Sequence, residues 1–268
     1  MSEQHEIISE LRSAGVLDGI RWAYLSTTAR SLEAHAEDGA FDDAAWLGTT
    51  RYTLFRNRLD RVFACERYES GSGDGRSDLD LLYAQLSDTD IRTMPHLDPG
   101  LVERKNLNGS PGWAHQGHRF LLASSEFGKL DELPWPQKSP TKQKVASQRD
   151  PDPDQRSLFE SAADEELSVL EAVIAAETDL DMTTFVVAHS LDALTGRSEL
   201  VLGRPKLNAG GGRAWRWRED LLNLPPFGGR FRSDNTPLPI GPDGTPDAPV
   251  RLRREADIRT PHQSSGER

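Results

Sequence analysis

The sequence predicts an α+β fold: an N-terminal three-helix unit, then a small mixed domain with a β-hairpin and a long acidic amphipathic helix. Three observations carry this. Apolar residues recur at helical spacing through the first 65 positions, a second helical stripe runs from Leu158 to Glu177, and period-two alternation appears between Thr183 and Gly203.

In the first helix Ile7, Ile8, Leu11 and Ala14 share a face, and Gly15 ends it. Leu17, Ile20, Tyr24 and Thr28 start a second, running through Leu32 toward Asp38-Gly39. A third begins behind Asp42, a candidate N-cap, and reaches about Cys65 on the stripe Phe55, Leu59, Val62 and Phe63. Short connections make three antiparallel helices the simplest packing. The run from Glu69 to Gly75 is a flexible break. Leu79, Leu82, Tyr83 and Leu86 fit a short helix, Asp78 to Tyr83 fits a buried strand equally well, and Arg119 to Ser125 reads as a strand. Residues 131–156 hold five prolines and many charges and read as a linker or long surface loop.

The helix from Leu158 to Glu177 has Asp164, Glu165 and Glu166 in its early turns, where the dipole favours anions, and buries Leu167, Leu170, Val173 and Ile174. Thr183–Asp192 and Ser198–Gly203 form a hairpin around Thr195-Gly196-Arg197, with Phe185, Val187, Leu200 and Leu202 on one face. Ala214, Trp217, Leu221 and Leu224 then allow a short helix ending at Pro225-Pro226. The expected organisation is a helical unit at 1–69, a mixed segment at 77–130, the linker at 131–156, the helix, hairpin and basic segment at 157–232, and a disordered tail at 233–268.

The totals restrict function. The net charge is −11, which argues against indiscriminate binding to DNA or anionic membranes, although screening leaves room for a local basic patch. The single cysteine, Cys65, excludes an internal disulfide and multi-cysteine zinc sites. The polar, acidic N-terminus is unlike a signal peptide, and no run approaches the roughly 20 apolar residues that span a bilayer. The expectation is a cytoplasmic protein without membrane or cofactor.

Charge reverses abruptly near residue 200. Ser157 to Glu199 carries a net −9, and Leu200 to Ser233 a net +5. In the basic stretch Arg204, Lys206, Arg213, Arg216 and Arg218 surround Trp215 and Trp217. Guanidinium groups neutralise phosphates and indoles stack on unpaired bases, so this segment is the candidate nucleic-acid-binding site. The competing expectation is that both tryptophans are core and the arginines pair with Glu165, Glu166, Glu171 or Glu177. Other basic stretches include Lys138, Lys142, Lys144 and Arg149 around Ser139-Pro140-Thr141-Lys142, which looks like a single Ser-Pro-basic unit of DNA minor-groove tails. Arg51, Arg58 and Arg61 lie near one face of the third helix, read either as phosphate contacts or as a solvated face.

Enzymatic motifs are thinner. Gly71-Ser72, followed by Asp78-Leu79-Asp80, is similar to the nucleotidyltransferase signature. Two carboxylates at i and i+2 on a strand point the same way, which suits a divalent metal. The spacing is shorter than that family's, and a third carboxylate has no counterpart. Glu103-x-Lys105 is similar to the metal-binding tripeptide of restriction-type nucleases. His96, His115, His118 and His189 are scattered, and His189 is expected to be paired and half-buried in the hairpin. Cys65 beside Glu66 has no activating cation. The leading expectation is therefore a non-enzymatic nucleic-acid-binding or accessory protein. The alternatives are a divalent-metal-dependent nucleotidyl or phosphoryl transferase using Asp78 and Asp80, and a protein–protein adaptor.

Overall fold

A computed structural model describes residues 2–37, 44–69, 81–148 and 182–225. The three N-terminal helices form as the apolar spacing requires: α1 (Glu3–Ser13), α2 (Val16–Glu37) and α3 (Ala44–Val62). Ser2 caps α1 through a hydrogen bond from the His5 amide to its hydroxyl, and Glu3 and Glu6 sit in the first turn where the helix dipole favours them. Gly15, at φ +78°, supplies the left-handed residue that separates α1 from α2. A 3-10 turn at Glu66–Tyr68 and the short helix α4 (Asp88–Thr93), closed by a Ser87–Asp90 capping box, lead into the sheet.

Six strands form that sheet in chain order: β1 (Glu103–Arg104), β2 (Gly112–His115), β3 (His118–Ser124), β4 (Thr183–Leu191), β5 (Ser198–Pro205) and β6 (Trp215–Asp220). Neighbours are antiparallel except β3 and β4, which run parallel with Ser124 opposite His189. The expected hairpin is β4–β5, with Gly196 at φ +68° in its turn. The fold class is α+β, as the periodicities indicate.

Alternation divides the sheet between two cores. Phe120, Leu122, Phe185, Val187, Leu200 and Leu202 pack against Leu11, Leu17, Ile20, Tyr24, Phe55 and Leu59 of the three helices. Leu121, Ala123, Val186, Ala188 and Val201 face the other way, onto Leu130, Leu133, Trp135, Val145 and Ala146. This second layer comes from residues whose composition suggests a linker. They fold as 3-10 turns at Leu130–Glu132 and Trp135–Gln137 and as the helix α5 (Pro140–Ala146). Pro140 stands in the first turn of α5, where it removes no needed donor, so proline here starts a helix. Residues 81–83 are helical. The expected helix at 158–177, the N-cap Asp42, the tail at 233–268, and Asp78 and Asp80 lie outside the described residues.

The short helix expected around Trp217 is a strand instead. β6 pairs antiparallel with β5, and the register shifts at Arg204 and Pro205: Arg204 lies opposite Trp217 and Pro205 opposite Trp215. Arg216 is the extra residue of this bulge. A Cβ on Gly203 would come within 2.7 Å of both the Trp215 ring and the Trp217 carbonyl, so glycine there permits the close approach of β6. Long-range pairing with β5 overrides a local pattern that also suits a helical turn, and aromatic residues favour a half-buried pleated surface.

Candidate nucleic-acid interface

The bulge determines what the basic segment offers. In an unbroken strand, residues 215 and 217 would share a face; here the extra residue sends them to opposite cores. Trp215 is 7% exposed, meets Trp135 edge-on at 5.3 Å, and donates its indole N–H to the Leu130 carbonyl at 2.7 Å. Trp217 is half-buried, packs on Phe185 at 5.3 Å, and donates to Glu3 Oε2 at 2.7 Å. The expectation of two adjacent stacking faces is thus corrected: each indole is anchored by its own hydrogen bond, one in each core.

The cations divide in the same way. Arg204 is 2% exposed and pairs with the Glu3 carboxylate of α1. Arg218 forms a forked pair with Asp131, at 2.5 and 2.9 Å. These partners are Glu3 and Asp131, whereas the sequence suggested acids between 165 and 177. Lys206, Arg213 and Arg216 remain exposed, and Arg216 Nη2 donates to the Gln148 carbonyl at 2.9 Å. Lys206 and Arg213 flank the turn between β5 and β6, where Gly211 and Gly212 take φ +84° and +87°. The Leu207 amide donates to the Ala146 carbonyl, which brings the end of α5 and its Lys144 alongside that turn.

Arg58 and Arg61 on α3 are buried rather than solvated. Arg58 donates to Ser26 Oγ at 2.9 Å, and Arg61 to Asn57 Oδ1 at 2.9 Å and to the Leu81 and Leu82 carbonyls. Glu103 and Lys105 are exposed and pair with each other at 3.4 Å. His115 is buried, and its Nδ1 carries the proton, because it lies 2.7 Å from the Leu101 carbonyl, which can only accept. His118 lies 3.4 Å from Glu10. Among the described residues no group of three or more His, Cys, Asp or Glu side chains could hold a metal ion. No described helix is long and apolar enough to cross a membrane. Cys65 is buried, and burial followed by the Asp60 charge pushes its thiol up to about 12, which keeps it protonated and inert. His189 differs from expectation: it is fully buried, and neither ring nitrogen has a hydrogen-bond partner.

No protein-family model, curated protein or solved structure matches this chain.

Proposed function

We propose that the protein is a non-enzymatic nucleic-acid-binding or accessory protein that contacts phosphates through the open end of the β5–β6 hairpin. The observation that carries this reading is the exposure of Lys206, Arg213 and Arg216 around a glycine turn. Arg218 joins them by exchange. Its pair with Asp131 is solvent-exposed on both sides, and such pairs contribute little, so a phosphate can displace the carboxylate. With Trp215 sealed inside, binding rests on phosphate contacts, and base stacking adds nothing at that position. A cytoplasmic setting belongs to the same proposal.

The test is fluorescence anisotropy with short single- and double-stranded oligonucleotides at low salt. Four phosphate contacts give a log–log salt slope of about −3.6 on duplex and about −2.8 on single strands. The triple variant Lys206→Gln, Arg213→Gln, Arg216→Gln is expected to weaken binding across all sequences and flatten the slope by about 1 per cation removed. Absence of binding at tens of micromolar wild-type protein would reject the proposal.

A further inference from the structure

The turn that joins β5 to β6 is pinned to the layer beneath it. Leu207 donates its amide to the Ala146 carbonyl at the end of α5, and Lys206 donates across the hairpin to the Ala214 carbonyl, both at 2.8 Å. Asn208 is 9% exposed: its Nδ2 donates to the Leu133 and Gly212 carbonyls, and its Oδ1 accepts from the Trp135 amide. Between these two fixed residues the Leu207 side chain stands 41% exposed. Val201, Leu202, Ala214 and Trp215 of the same hairpin are all buried. A lone exposed leucine is ordinary on a protein surface. The setting separates Leu207 from Leu194, which stands on the β4–β5 turn and donates its amide to the Asp192 carboxylate. Leu207 is held on a fixed backbone, with Lys206 before it, Arg213 across the hairpin and Arg216 at the bulge.

The surroundings distinguish between kinds of nucleic acid. Proteins hold single strands on aromatic rings, where each stacked base contributes about 1–3 kcal/mol. No described Phe, Tyr or Trp is exposed. Trp135 and Trp215 close the second core, Trp217 is tied to Glu3, and half-buried Phe127 lies under Arg197 at 4.7 Å. Cations without a stacking ring favour the polyanion of highest charge density, a duplex with one charge per about 1.7 Å of axis. An aliphatic side chain has no bond to offer a phosphate. It suits the minor groove of DNA, where proteins place leucine against or between base pairs. The minor groove of duplex RNA is shallow and lined with 2′-hydroxyls, which call for polar partners. Of the adjoining acids, Asp131 is engaged by Arg218. Glu132, exposed on the same 3-10 turn, opposes binding against the charges of Lys206, Arg213 and Arg216.

We propose, building on the hairpin surface described above, that its ligand is double-stranded DNA, bound without regard to base sequence. Leu207 enters the minor groove while Lys206, Arg213 and Arg216 hold the flanking phosphates.

Fluorescence anisotropy at one low salt concentration compares duplex DNA, one of its strands alone, and duplex RNA of equal length. Duplex DNA is expected to bind about tenfold more tightly than either. Leu207→Gln keeps the backbone anchor and every charge. It is expected to weaken duplex DNA binding about tenfold with the log–log salt slope unchanged, because no cation is removed. Leu207→Met, still aliphatic, should retain wild-type affinity. Distamycin, a minor-groove ligand, should displace the wild-type protein from an A·T-rich duplex. The assignment is overturned, with the hairpin reading left standing, if the single strand or duplex RNA binds as tightly as duplex DNA. It is equally overturned if Leu207→Gln binds duplex DNA like wild type, if Leu207→Met loses as much affinity as Leu207→Gln, or if distamycin has no effect. A wild-type protein that binds none of the three nucleic acids rejects the hairpin reading as well.

Discussion

His189 carries a pH dependence whose sign follows from its burial. Its folded value, about 3, lies below the ordinary 6.5, so between these limits the unfolded chain binds a proton that the folded chain does not. The His189 contribution is therefore complete above about pH 6.5 and is lost as pH falls toward 3, at up to about 1.4 kcal/mol per pH unit. Chemical denaturation of His189→Phe across pH 4–7 is expected to show a shallower decline than wild type, by up to one proton; parallel curves would contradict the neutral buried imidazole. Residue-scale chemistry was partly legible in sequence. The inert setting of Cys65 could be read from its acidic neighbour, and burial strengthens it. The isolation of His189 could not be read, because Tyr24 and Phe55 reach it from distant helices.

The element that most changes the functional reading is β6. Its local pattern suits a helix or a strand, and only β5 decides between them. The same pairing places Arg204 and Trp217 where one carboxylate, Glu3 of α1, serves both. This clamp ties α1 to β5 and β6. Glu3→Ala leaves Arg204 without that counter-charge, and a loss of about 2–3 kcal/mol is expected in urea unfolding. Glu3→Gln should recover part of it by still accepting from Trp217. A Glu3→Ala variant within 0.5 kcal/mol of wild type, the scatter of ordinary surface changes, would show that the clamp adds nothing. Proline misleads at this scale too. Residues 134–146 look like a linker by composition, yet Trp135 and Val145 are fully buried and close the second core.

On the scale of the molecule, the sheet is covered on both faces, by α1–α3 on one and by the 130–146 segment on the other. A chain beginning at residue 70 would expose Phe120, Leu122, Phe185, Val187, Leu200 and Leu202 on the helix-facing side. Burying six such side chains contributes on the order of 10 kcal/mol, comparable to the whole stability of a domain. Loss of cooperative unfolding is expected for that fragment, measured by calorimetry, and a sharp transition near the wild-type midpoint would contradict it.

The sequence by itself determined the α+β class, the three helices and the β4–β5 hairpin, because their apolar periods of 3.6 and 2 lie within a single segment. The tertiary structure decided that the sheet has two buried faces, that the indoles of 215 and 217 part company, and that His189 is enclosed by Tyr24 and Phe55. Those outcomes depend on strand register and on partners far apart in the chain, as with Glu3 and Arg204, 201 positions apart. Local periodicity holds no record of which distant charge a side chain will meet.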